Sequence, residues 1–464
     1  MQQLSAADSL FLSLESADCP MNMGLLVMVD GPQDPASIQG FLSDLTYGVM
    51  SVKKNHNRLL GGAYGMQRNS WTRDKHPDLS KHIHHHQLAA PADETQLYTL
   101  TESILMRLMD RRLPLMELHL ISGLQDNKLA LIFKLHHACA DGLNALRMFS
   151  DTLNFAAASN TPAKEPATSL QDTRQATGTR GPIRAAISTL GSILLGPFVG
   201  LYLLNHVARN QQKHRGRRSR FCGPLGAQRS YATLDLPLPT IRKIKRHFAS
   251  SENELILSLY SGALRRYLSQ RQELPERSIH VGVPYSMQFS ETNRDSANQV
   301  GFTRLTLATR INSPVQRLKT MKARCQRILG EGPSKKMLQL QSLLPYAPPF
   351  LVSLMARLYV YWVRKQRIHP NLSGITTHMP GPVRTVTIGN YKIQSIYPLG
   401  VLYHGCGLSL STMRYGQSIH CGVAADREML PDPTVLTDYI KDEFDQLVLQ
   451  IEAAPSKRQT SATP

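Results

Sequence analysis

Only six cysteines occur in 464 residues, and none belongs to a CxxC pair. Cys19, Cys139, Cys222, Cys325, Cys406 and Cys421 are scattered, so neither a disulfide framework nor a zinc-finger spacing is expected, and reduced thiols suit a cytosolic protein. No GxSxG elbow is present, which leaves a serine esterase or lipase without support. A clear Walker loop and an RNA-binding signature are also lacking, so nucleic acid is not expected as a partner. The amino terminus carries no basic leader, and Asp8 and Glu15 flank its apolar residues, so it does not read as a secretory signal.

Acidic residues are scarce beside basic ones, 34 against 53, giving a net charge of +19 and a pI near 9.8. Such a balance favours a polyanionic partner: an anionic membrane surface, a phosphorylated ligand such as CoA, or nucleic acid, which the missing signatures put last. With 42% apolar residues the chain can bury a core, and its length allows two or three domains.

One stretch joins local structure to reactive chemistry: Leu129 to Gly142, reading LALIFKLHHACADG. Leu129 to Leu135 is a short apolar run with one lysine, the pattern of a buried strand. Leu143, Leu146, Phe149 and Leu153 then recur at helical spacing, with Asp141 as the expected N-cap. His136 and His137 therefore sit between a strand and a helix. Adjacent strand residues face opposite sides, so at most one of the two histidines is expected to be catalytic. Neutral imidazole can take a proton from an alcohol, and a nearby carboxylate can fix its tautomer. An arbitrary His-His pair would more simply be a buried pair satisfied by backbone carbonyls; the strand-to-helix setting favours a site. Cys139, inside the same loop, reads as filler, since no oxyanion-type signature accompanies it.

HHACADG resembles the HHxxxDG signature of the CoA-dependent acyltransferase superfamily, and its flanks resemble the bacterial wax ester synthase/diacylglycerol acyltransferase family. The resemblance implies two chloramphenicol-acetyltransferase-like α/β domains, each a mixed sheet with helices, arranged as a pseudo-dimer with the active site at their interface. It implies transfer of a long-chain acyl group from acyl-CoA to a long-chain alcohol or diacylglycerol, with His137 as general base, His136 packed behind it and Asp141 mainly structural. Acyl-CoA would be a co-substrate, and neither a cofactor nor a metal is expected. Alternatives of other classes are a non-catalytic relative that binds membranes or lipid droplets, and a condensation-type acyltransferase with another acceptor.

Other segments carry the likeness with departures. Residues 4–24 resemble the family's opening helix and Pro-Met strand entry, with Asn22 where histidine is usual. Leu113 to Glu117 resembles Pro-Leu-Trp-Glu, with Met116 in place of tryptophan and so expected to line a looser substrate pocket. The strand from Leu118 to Ile121, the turn from Gly123 to Asn127 and the strand from Leu129 to Leu135 read as a hairpin that delivers the histidines. Asp34 to Val52 reads as a helix. Ser251 and Glu254 form a capping box for a helix over Glu252 to Gln270, in which Asn253 matches the family's Asn-Asp. Thr377-His378-Met379-Pro380-Gly381-Pro382 stands for Ser-Asn-Val-Pro-Gly-Pro. With Gly142, these residues are read as structural parts of the motif. His82, His84, His85 and His86 invite a metal assignment, but no carboxylate or cysteine completes a recognisable site in sequence.

The expected division is residues 1–158 as the first acyltransferase domain, 159–225 as a linker with an interfacial segment, 226–453 as the second domain and 454–464 as a disordered tail. Residues 185–208 lack Asp, Glu, Lys and Arg and lead to the basic run KHRGRRSR. Ser188, Ser192, Asn205, His206 and a Gly-Pro break make a helix-turn-helix lying in a membrane interface more apt than a span. Phe350 to Val363 repeats the theme and is followed by Arg364, Lys365 and Arg367. Together they suggest a cytoplasmic protein attached peripherally to the inner face of a membrane or to lipid inclusions. Buried core is the plainer reading of both helices. Acceptor preference, acyl length and oligomeric state are not readable from the sequence.

Overall fold

The structure is a computed structural model that describes residues 2–61, 69–158, 218–286, 300–331, 349–382 and 385–453. The proposed linker, the apolar 185–208 segment with its basic run to residue 217, and the tail lie outside these residues. Its strands are β1 (Gln2–Gln3), β2 (Asn22–Asp30), β3 (Asn57–Leu60), β4 (Ser70–Arg73), β5 (Ile83–Ala92), β6 (Met116–Leu124), β7 (Lys128–His136), β8 (Arg229–Pro237), β9 (His280–Ser286), β10 (Val300–Thr306), β11 (Gly374–Met379), β12 (Thr387–Ile388), β13 (Tyr391–Leu399), β14 (Leu408–Tyr415) and β15 (Ser418–Asp426). Its helices are α1 (Ala6–Leu14), α2 (Pro35–Ser51), α3 (Glu94–Met106), α4 (Gly142–Ala158), α5 (Leu238–Phe248), α6 (Glu252–Gln270), α7 (Pro314–Glu331), α8 (Pro349–Arg364) and α9 (Thr434–Glu452).

Two six-stranded sheets dominate, ordered β12-β13-β2-β7-β6-β5 and β10-β9-β11-β14-β15-β8. Both are mixed: β5 and β6 pair in parallel in the first, β11 pairs in parallel with β9 and β14 in the second, and antiparallel ladders supply the rest. The expected hairpin is present as β6 and β7, joined by a short turn at Gln125–Asn127. On β7, Leu129, Leu131, Phe133 and Leu135 alternate into one face, where Phe41 and Leu45 of α2 and Leu146 and Phe149 of α4 cover them. Ala130 and Ile132 face the other way, towards Leu97, Ile104 and Leu105 of α3.

That second face also meets the other sheet, since Tyr231 of β8 and Ala424 of β15 belong to the same apolar cluster as α3. Polar contacts cross with it: Tyr98 and Thr233 share a hydrogen bond of 2.8 Å, and the Arg229 amide donates to Glu102. The second sheet is covered by α5, α6, α7 and α9, whose Ile241, Leu259, Leu318 and Phe444 share its core. The sheets do not divide at one point in the chain. β12 and β13 come from the second half yet complete the first sheet, where β13 pairs with β2 from Lys392 opposite Asp30 to Leu399 opposite Gly24.

Helix starts are fixed by side-chain caps. Asp34 accepts from the Ser37 amide with Pro35 at the first position of α2, and Ser251 and Glu254 exchange both bonds of a capping box on α6. Among the described residues, no helix is long and apolar enough to cross a membrane.

Candidate active site

β7 ends at His136, and the chain turns at once. The Cys139 amide donates to the His136 carbonyl at 2.9 Å, and Asp141 then caps α4 by accepting from the Asn144 amide at 2.9 Å. This tight turn lifts His137 off the ladder, and its own amide donates to the Met21 carbonyl at 2.8 Å. The His137 imidazole stacks on Phe11 of α1 with centroids 4.0 Å apart and planes 23° apart. Burial pushes its pKa down to about 4, against a weaker upward pull from a hydrogen bond with its own backbone. The imidazole is therefore neutral at pH 7 and able to accept a proton.

His136 is buried and differently held. The Ala138 amide donates to its Nδ1 at 3.0 Å, so the ring proton belongs on Nε2, which faces Glu15 Oε1 at 3.1 Å. Burial alone would raise the Glu15 carboxyl; its bonds to His136 and Arg111 outweigh that and hold it down to about 2. Arg111 reaches Glu15 at 2.8 Å and also donates to the Leu12 carbonyl, so the end of α1 is tied to the loop after α3. Asn22, which stands where the family has histidine, pairs across the ladder with His136 and donates to the Leu105 and Arg107 carbonyls at the end of α3. Burial pushes the Cys139 thiol well up, so it stays protonated rather than acting as a nucleophile.

The start of α4 presses on the second sheet: a Cβ on Gly142 would lie 2.9 Å from Met379 Sδ at the end of β11. Pro380-Gly381-Pro382 follows directly, and a Cβ on Gly381 would lie 2.0 Å from the Arg414 carbonyl, a backbone approach that excludes a side chain. His378 shares a 2.9 Å hydrogen bond with Thr412 and faces Glu252 at 3.6 Å, which brings the Pro-Gly-Pro turn to the start of α6, where Asn253 sits. Met116 is only 2% exposed and packs in the core cluster with Leu135, Met148, Met379 and Met413.

The other histidines also form a cluster. β5 begins at Ile83, so His82 precedes the strand and its Nδ1 donates to the Met116 carbonyl, while His84 and His86 share a face of the strand. Both stack on His119, and His84, Glu117 and His119 bring ligand atoms within 4.8 Å of one another. One oxygen of that carboxylate already meets three donors: Lys134 at 3.1 Å, Arg107 at 2.9 Å and His119 at 3.1 Å. Two fixed cations beside it oppose a third, so the cluster is built as an ion-pair knot rather than as a cradle for a divalent ion. Burial pushes His119 down to about 4 in spite of Glu117.

Glu15 and Phe11 are the site residues that sequence reasoning missed. Phe11 was visible only as part of an apolar helix face, and Glu15 only as a charge near the amino terminus. Their histidine partners lie more than a hundred positions away.

The model of the wax ester synthase/diacylglycerol acyltransferase catalytic domain matches residues 4–256, and that of the WS/DGAT C-terminal domain matches residues 296–448. A probable diacylglycerol O-acyltransferase of Mycobacterium tuberculosis (strain ATCC 25618 / H37Rv), tgs2, is 27% identical over 464 residues, covering 96% of this chain and 99% of its own. A second from the same strain, tgs1, is 26% identical over 459 residues, covering 97% and 96%. The wax ester synthase/diacylglycerol acyltransferase from Marinobacter aquaeolei VT8 superposes with a TM-score of 0.72 at 21% identity, over 97% of this chain and 100% of its own. The first condensation domain of the calcium-dependent antibiotic synthetase shares the fold more loosely, with a TM-score of 0.59 at 15% identity over 96% and 95%. With the catalytic-domain model alone spanning more than half of its length, the chain belongs to the wax ester synthase/diacylglycerol acyltransferase family of acyl-CoA-dependent O-acyltransferases.

Proposed function

We propose that His137 is the general base of acyl transfer from long-chain acyl-CoA to the hydroxyl of a long-chain alcohol or diacylglycerol, giving wax ester or triacylglycerol. As His137 takes the hydroxyl proton, the oxygen attacks the thioester carbonyl. The resulting tetrahedral adduct collapses with loss of the CoA thiolate, which receives the proton back. No covalent acyl-enzyme is required, and the reaction balances with acyl-CoA and the alcohol alone. The observation that carries this reading is a histidine kept neutral by burial, seated at a strand end between a stacked phenyl ring and a backbone anchor.

In the same reading His136 is a positioning residue, held by Glu15. Asp141 and Gly142 shape the loop, and Asn253 with Pro380, Gly381 and Pro382 shape the facing wall. Met116 sets how firmly the pocket floor is packed. The protein works in the cytoplasm on the inner face of a membrane or on lipid inclusions, where its acceptors reside.

The test is release of free CoA from palmitoyl-CoA by the purified protein, with a fatty alcohol, diacylglycerol or a short polyol as acceptor. His137→Ala should lose roughly 10²–10⁴ in rate with the fold retained, since that is what a positioned base contributes. His136→Ala should instead act mainly by lowering stability, with a rate loss well below that of His137→Ala. The acid limb of kcat/KM should fall near pH 4, below the ordinary histidine range, because His137 stays neutral until then. Equal rate losses in two equally stable variants would overturn the division of roles. Undiminished turnover by His137→Ala would overturn the base.

A further inference from the structure

α8 has two faces of opposite character. Inward, Ala356 and Val363 are buried, Ser353 shares a 2.9 Å hydrogen bond with Ser13 of α1, and Tyr359 donates to the His404 carbonyl at 3.1 Å. Arg364, at its last turn, is ion-paired with Asp18 in the loop after α1. Outward, Phe350, Leu354, Leu358 and Tyr361 are 49%, 49%, 38% and 54% exposed. Their spacing of four, four and three places them in one stripe along the helix. Of the ten large apolar side chains that stand well exposed among the described residues, four lie on α8, against two, Tyr47 and Met50, on α2. Arg357, Lys365 and Arg367 are exposed around it.

We infer that this stripe is the face by which the protein lies on an anionic lipid surface, and that the surface so engaged feeds acceptor to His137. The inference rests on the O-acyltransferase reading above and names the surface on which that reaction takes place. Charge complementarity selects the occupant. A stripe of phenyl, isobutyl and phenol side chains can enter the acyl boundary while the flanking guanidinium and ammonium groups meet headgroup phosphates. Tyrosine, apolar in body and polar at its tip, suits such a boundary.

The link to the chemistry runs through α1. The helix that α8 packs on is the one whose Phe11 stacks on His137 and whose end residue Glu15 pairs with His136. One helix thus stands between the lipid-facing stripe and both motif histidines. A hydrocarbon-bearing acceptor leaving the surface beside α8 meets first the element that shapes the base, so docking and acceptor delivery share one structural unit.

The experiment compares the full chain with the triple variant Phe350→Ser, Leu354→Ser, Tyr361→Ser and with a control, Leu449→Ser, which removes a 61% exposed leucine from α9. Flotation with phosphatidylcholine vesicles containing phosphatidylglycerol measures binding; CoA release measures turnover, once with diacylglycerol in the vesicles and once with a short water-soluble alcohol. The triple variant should lose vesicle partitioning by about tenfold or more, because three large side chains lose their burial. It should lose turnover on vesicle-borne diacylglycerol in proportion and keep turnover on the soluble alcohol. The control should match the parent in all three. Unchanged partitioning of the triple variant, or no partitioning by the parent, would overturn the docking face and leave the stripe to a second copy or another segment of the chain, which light scattering and cross-linking would identify. Lost partitioning with full turnover on vesicle-borne acceptor would overturn delivery. An equal fall with the soluble alcohol would make the stripe a folding element and overturn both. Intact vesicle binding by a parent that releases no CoA from any acceptor would overturn the O-acyltransferase reading and leave the docking face standing.

Discussion

Glu15 and Glu117 are both buried carboxylates beside β7, and each pairs with a residue on the same face of that strand: His136 for Glu15, Lys134 for Glu117. Glu117 lies within the sheet, on β6, and binds the next strand. Its partners Lys134, His119 and Arg107 make it a rivet between β6, β7 and the end of α3. Glu15 comes from outside the sheet, at the end of α1, and binds a histidine of the reactive loop. A buried carboxylate therefore does two jobs. Where both partners belong to the sheet it fixes the frame; where one belongs to a docked helix it makes the loop responsive to that helix.

The largest effect separating the two should come from Glu117→Ala. Lys134 has no exposed side-chain surface, and stranding a buried charge costs roughly 3–5 kcal/mol. Denaturant unfolding should show that loss, while turnover per folded molecule stays close to the parent's. A loss below about 1 kcal/mol, the range of exposed pairs, would mean that water relieves Lys134 and would break the contrast.

Glu15→Gln should add a loss of turnover to a loss of stability. A hydrogen bond to a charged group is worth about 1.5–3 kcal/mol, so kcat should fall roughly ten- to a hundredfold with little change in KM if His136 truly orients the loop. The variant should also differ from the parent in acid. The Glu15 pKa is depressed from 4.5 to about 2, so its contribution to stability is present above pH 4.5 and lost as pH falls through 2. That contribution is worth about 3 kcal/mol. A parent and a Gln variant with parallel acid-unfolding curves would remove Glu15 from the comparison.

The smallest expected effect concerns Met116, which packs on the opposite face of the same sheet. Met116→Trp should stiffen the pocket floor and discriminate against bulky acceptors by about 1–3 kcal/mol in kcat/KM, leaving slim linear alcohols unaffected. A uniform change across acceptor bulk would make Met116 packing alone, as its place among Leu135, Met379 and Met413 in the core allows.

Features governed by neighbouring residues were legible in the sequence. The buried run of β7, the Asp141 cap, the β6–β7 hairpin and the Ser251–Glu254 capping box each depend on side chains within a few positions. The rest depends on pairing across the chain. Nothing local to Tyr391–Leu399 says which sheet that strand joins, and its partner β2 lies in the first thirty residues. Glu15 looked like an amino-terminal surface charge because the histidine that explains it arrives only at the end of β7. The place of His84 and His86 beside His119 depends on β5 pairing with β6, which no local pattern states.

The insertion of β13 between β12 and β2 also sets the order in which this protein can be made. Until the ribosome has delivered residue 399, β2 has a neighbour on one side only, and its Leu25, Leu26, Val27 and Val29 lie along an unpaired backbone edge. Such an edge is a template for pairing with another chain. The sheet that holds the histidines must therefore wait, partly assembled, through most of translation, and its closure is a late, long-range event. A fragment ending near residue 225 would carry the whole histidine motif and still lack the strand that seals its sheet, so its expected fate is aggregation rather than a half-active enzyme.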